Sequence, residues 1–187
     1  MLCYGSYMAD RSPTLLAYFI TFSTYGSRLR GDARGSIDRR ANGYGESMMP
    51  PTPKLLAAQR AAMNAAAFVM GAAERVIVAR TISGICLRHG WVLLALNVRT
   101  NHVHLVVEAH ESTPEAVMRA LKAPATGALR RAGRVAADRP IWSRHGSTKY
   151  LFEEGSVPSA VRYVVERQGA NLDGAWYSGP DIELGIG

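Results

Sequence analysis

The chain has 187 residues, 48% of them hydrophobic, and a formal net charge of +7 with a pI of about 9.8. This length and apolar content suit one domain with its own core, and the charge favours a polyanionic partner, nucleic acid before an anionic membrane. Two cysteines, Cys3 and Cys86, exclude a disulfide framework and a cysteine zinc knuckle and fit a reducing cytosol, and neither an export signal nor an internal repeat is evident.

Residues 1–13 carry no clear period. Leu15–Thr24, rich in aromatic and β-branched residues, predicts a buried strand and is far too short to span a bilayer. Residues 25–45 then break the pattern with five glycines and with Arg28, Arg30, Arg34, Arg39 and Arg40. Backbone N–H groups and guanidinium forks both donate to phosphate oxygens, so this loop is a candidate DNA-backbone contact; taken alone, a solvated loop explains it equally well.

Pro50-Pro51-Thr52-Pro53 precedes an alanine-rich stretch, Lys54–Met70, that predicts a helix, and Ala72–Arg88 predicts a second. Trp91–Val98 and Asn101–Glu108 predict two strands joined by a turn at Arg99-Thr100. Thr113-Pro114-Glu115 opens a further helix, which Pro124 should kink or end. Arg130, Arg131 and Arg134 on its continuation form a second candidate set of phosphate contacts. Pro140-Ile141-Trp142 reads as a connector, Lys149–Phe152 as a short strand, and Ser156–Gln168 as a last helix containing Tyr163. The glycine-rich remainder reads as a loosely held tail.

The order is therefore that of an α+β ferredoxin-like β-α-β-β-α-β sandwich with an antiparallel sheet and an added C-terminal helix. One domain over residues 14–169, with tails at 1–13 and 170–187, is expected. The fold alone says little about function.

The informative stretch is Asn101-His102-Val103-His104-Leu105-Val106-Val107. Strand side chains alternate, so His102 and His104 share one face while Val103 and Leu105 share the other. Two neutral imidazoles side by side on a rigid surface can ligate a metal; two histidines on a wet sheet face is the commoner arrangement.

That stretch resembles the His-hydrophobic-His signature of the HUH single-strand nucleases, most of all the IS200/IS605-like Y1 transposases, which include the REP-associated tyrosine transposases. Tyr18–Phe22 with Tyr25-Gly26 and Gly31–Gly35, Gly90-Trp91, and Gly146-Ser147 also resemble that family's elements, so the resemblance spans most of the chain. It implies that Tyr163, on the helix after the sheet, is the catalytic nucleophile. Without the histidines, a core tyrosine with its hydroxyl tied to backbone would be the default. It further implies a divalent cation, Mg2+ or Mn2+, held by His102, His104 and a polar third ligand.

Family members commonly place that ligand, Gln or Asn, four residues after the tyrosine; here the position holds Arg167, which cannot bind a cation. Gln168 has the family's chemistry but needs the helix to loosen before Gly169, and Glu166 has the better helical geometry; Gln168 is preferred, with Glu166 as the alternative.

The implied activity is transposase-like cleavage and rejoining of single-stranded DNA or of DNA hairpins at element ends, through a 5′-phosphotyrosine, in the bacterial cytosol and without a membrane partner. Relatives occur as monomers and as homodimers, in which Tyr163 would complete the partner's site. The Arg167 mismatch motivates the alternative, a catalytically decayed protein that still binds DNA hairpins.

Overall fold

The computed structural model describes residues 14–29, 31–32, 51–170, 172 and 175–179. The elements, in order, are β1 (Ala17–Thr24), α1 (Pro53–Ala61), α2 (Ala72–Arg88), β2 (Val92–Val98), β3 (His102–Glu108), α3 (Pro114–Arg131), β4 (Trp142–Leu151), α4 (Ser156–Glu166) and β5 (Trp176–Ser178). They build one antiparallel sheet in the order β4-β1-β3-β2-β5. Without β5 this is the α+β ferredoxin-like order, with β1 and β3 at its centre.

The alternation of each strand sorts its side chains between two helical layers. Tyr18, Ile20 and Phe22 of β1, with Val103, Leu105 and Val107 of β3, meet the apolar stripes of α2 (Val78, Ile82, Ile85) and α3 (Val117, Leu121, Leu129) in the main core. Ala17 and Phe19 of β1, Ala95 of β2 and Val106 of β3 face the other way. There they meet Val157, Ala160, Val161, Val164 and Val165 of α4, spaced to form one apolar stripe. His102 and His104 alternate with Val103 and Leu105, so they lie on the α4 face.

Four features depart from the sequence pattern. The helix expected over Lys54–Met70 stops at Ala61. Beyond it the Phe68 N–H bonds the Tyr25 carbonyl at 2.9 Å and the Met70 N–H the Thr100 carbonyl at 2.7 Å, while both side chains enter the core. Burial of two large apolar groups outweighs the modest helix preference of the intervening alanines. Pro124 does not end α3, which continues to Arg131 because the residues on either side of it, Leu121, Ala125 and Leu129, are fully buried.

The fourth strand starts at Trp142, inside the expected connector, and runs for ten residues. Its polar middle is exposed, as suits an edge strand, and its pairing to β1 rests on main-chain bonds. Gly146 permits the close approach: a Cβ there would stand 2.5 Å from the Thr21 carbonyl oxygen and 2.6 Å from Met118 Sδ. Finally, Trp176–Ser178, in the expected tail, add a strand to the outer edge of β2. Among the described residues no helix is long and apolar enough to cross a membrane.

Candidate active site

The histidines stand where three strands run side by side. His104 pairs in register with Thr21 on β1 and with Asn97 on β2, and His102 pairs with Ser23. Their ring centroids are 4.6 Å apart with the planes at 74°. Each ring is held through Nδ1: that of His104 lies 2.6 Å from Thr21 Oγ1, and that of His102 lies 2.7 Å from Asn101 Oδ1. Since the Asn101 carbonyl oxygen can only accept, His102 Nδ1 carries the proton and its Nε2 keeps a lone pair. Thr21 Oγ1 can accept from His104 Nδ1, and in that tautomer the His104 Nε2 also keeps its lone pair.

Burial is the main influence on His104, which is 7% exposed. With the neighbouring charges of His102, Arg28 and Arg99 it lowers the imidazole pKa to about 3, against a smaller upward effect of a hydrogen bond with Gln168. The ring is therefore neutral throughout the physiological range and able to donate a lone pair to a cation.

Helix α4 brings the remaining groups. Its apolar stripe lies on the sheet, and the next face carries Tyr163, whose ring centroid is 5.7 Å from those of Phe19 and His104, edge-on to both. Tyr163 is 41% exposed, and among the described residues no hydrogen bond ties its hydroxyl to backbone, unlike a core tyrosine. The helix ends at Glu166, with Arg167 as C-cap, and Gly169 follows at φ +80°. Past that end Gln168 turns inward, its Oε1 3.5 Å from His102 Nε2 and its Nε2 donating to the Tyr163 carbonyl at 3.2 Å. Glu166 and Arg167 are exposed.

Two imidazoles and a carboxamide oxygen are a mixed nitrogen–oxygen donor set that could hold a divalent cation. Among the described residues no three His, Cys, Asp or Glu side chains cluster, but two imidazoles and a carboxamide oxygen do. Ligands on adjacent corners of an octahedral Mg2+ site stand about 3 Å apart, close to the 3.5 Å between Gln168 Oε1 and His102 Nε2.

The expected arginine contacts divide. Arg28 is exposed and close enough to act electrostatically on His104. Arg30, Arg34, Arg39 and Arg40 lie outside the described residues. Arg130 and Arg131 end α3, in the helical layer on the opposite face of the sheet, and the adjacent Arg134 is engaged by Glu74 at 2.8 Å, so the fold does not bring this set to the histidines. Thr21, Asn97 and Arg99 belong to the site and escaped sequence reasoning: the strand register brings the first two beside His104, and Arg99, just past β2, acts on it electrostatically.

A scan of family models matches residues 67–163 to "Transposase IS200 like". No curated protein matches significantly. Among solved structures, the chain is similar to a REP-associated tyrosine transposase bound to a REP hairpin, at 12% identity and a TM-score of 0.42, over 84% of this chain and 70% of that one. It is also similar to a candidate transposase from Deinococcus radiodurans R1, at 13% identity and a TM-score of 0.42, over 91% of this chain and all of the other. The family match covers just over half of the sequence, from the end of the connector before α2 to Tyr163 itself, and on that ground the chain belongs to the IS200-like transposase family.

Proposed function

We propose that this transposase cleaves and rejoins single-stranded DNA, or the single-stranded flanks of DNA hairpins, with Tyr163 as nucleophile and His102, His104 and Gln168 as ligands of Mg2+ or Mn2+. The observation that carries the reading is convergence within one chain: Tyr163 stands against His104, and Gln168 against His102, on the exposed end of one sheet face. A cation bound there supplies charge to polarise a scissile phosphate.

The chain's own groups do the rest. The Tyr163 hydroxyl attacks phosphorus in line and gives its proton to water; the phosphorus–O3′ bond breaks, and O3′ takes up a proton. The products are a 5′-phosphotyrosine and a free 3′-hydroxyl. Because the covalent bond conserves the phosphodiester's energy, a second 3′-hydroxyl can reverse the step and join strands. Phe19 and His104 stand edge-on to the Tyr163 ring and restrict its swing. Arg28, beside the pair, is suited to the DNA backbone.

The test is incubation with labelled single-stranded DNA carrying candidate end hairpins and Mn2+. Detergent-resistant protein–DNA adducts are expected from the native sequence and none from Tyr163→Phe. Adducts that persist in Tyr163→Phe would reject the nucleophile; hairpin binding without adducts under any divalent metal would favour the decayed alternative.

A further inference from the structure

In a continuous helix Gln168 could not face the histidines. At 3.6 residues per turn, the position four after Tyr163 is offset from it by about 40°, and the position five after it by about 140°. The backbone ladder of α4 stops with the Arg167 N–H on the Tyr163 carbonyl at 3.2 Å. One more turn would need the Val164 carbonyl as acceptor for the Gln168 N–H. The ladder goes no further, and that carbonyl is held to the sheet: Asn97, 1% exposed on β2, donates its Nδ2 to it at 2.9 Å.

Just past the end of β2, Arg99 Nη1 donates to the Ala170 carbonyl at 2.7 Å, beyond the left-handed turn at Gly169. The Gln168 side chain itself caps the Tyr163 carbonyl. At this helix end the Val164 carbonyl is thus met by a side chain of the sheet, and the Tyr163 carbonyl accepts from both the Arg167 N–H and the Gln168 side chain.

We infer that Asn97 is a positioning residue: by tying the Val164 carbonyl to β2 it anchors the last turn of α4 over the sheet, so that the chain leaving the helix brings Gln168, in place of Arg167, to the His102–His104 pair. The inference rests on the proposed role of His102, His104 and Gln168 as cation ligands. Arg99 supports it by holding the chain after the turn.

The experiment titrates metal-free protein with Mn2+, followed by electron paramagnetic resonance, alongside exchange of the Arg167 amide, the last one bonded in the helical ladder. Loss of a group that orients metal ligands weakens binding by about 10- to 100-fold. Asn97→Ala should raise the Mn2+ dissociation constant at least about tenfold, within that range, and should speed exchange of the Arg167 amide as the last turn loses its tie to the sheet. Native affinity in Asn97→Ala overturns the inference, and so does unchanged exchange at Arg167. If Asn97→Ala does not fold, Asn97→Leu keeps the volume, lacks the donor, and should shift both readouts in the same direction. His102→Ala separates the two claims: if it too binds Mn2+ as the native protein does, the cation site itself is wrong; if it loses binding while Asn97→Ala keeps it, only the role of Asn97 falls.

Discussion

Acidifying the metal-free protein should reveal the neutral state that the fold imposes on His104. In the unfolded chain this imidazole titrates near 6.5, and in the fold at about 3, through burial and the charges of His102, Arg28 and Arg99. Between those values the unfolded chain binds a proton that the native one does not. The contribution of His104 to stability is therefore intact above about pH 6.5 and lost progressively as the pH falls towards 3. Each pH unit is worth about 1.36 kcal/mol, so at pH 4.5 the loss approaches about 2.7 kcal/mol. The assay is urea unfolding at pH 7.5 and 4.5, with chelator present, for the native sequence and for His104→Gln. Carboxylates titrate in both proteins and cancel in the comparison, so the native sequence should lose about 2.7 kcal/mol more than the variant. Equal losses in the two proteins would refute the claim that this ring is held neutral and ready to ligate.

Three further outcomes are expected. Gly146→Ala should cost about 1–3 kcal/mol by urea unfolding, because the added Cβ meets the Thr21 backbone and β1 must shift; a neutral result would show that β4 can retreat freely. Tyr163→Phe, at a half-exposed site, should change stability by less than about 0.5 kcal/mol while abolishing adduct formation, so that any loss of activity is chemical. Binding of single-stranded DNA should weaken steeply with salt, and Arg28→Ala should reduce the slope of log K against log salt by about 0.7, one phosphate contact; an unchanged slope would remove Arg28 from the interface.

The sequence exposed the parts of this protein that depend on local period. The His102–His104 pair, its strand and the apolar stripes of α2 and α4 follow from spacing alone, and so does the order of the ferredoxin-like core. What stayed hidden depends on partners distant in the chain. Residues 62–70 carry helix-forming alanines, yet Tyr25 and Thr100 draw them into an extended path. Residues 142–148 do not read as a strand because an edge strand of polar residues has no apolar alternation to display. Trp176–Ser178 are a strand only because the edge of β2 is open to them.

The choice between Glu166 and Gln168 turned on where α4 ends; it ends at Glu166, with the Val164 carbonyl held by Asn97, 67 positions away in the chain. The preference for Gln168 rested on its chemistry; the geometry that brings it to His102 belongs to the folded chain.

The most direct test of the central claim is an anomalous-scattering map from crystals soaked in Mn2+. The account predicts one peak within about 2.0–2.3 Å of His102 Nε2, His104 Nε2 and Gln168 Oε1, on the side of the sheet that carries Tyr163. A peak that excludes either histidine, or none at saturating Mn2+, would contradict it.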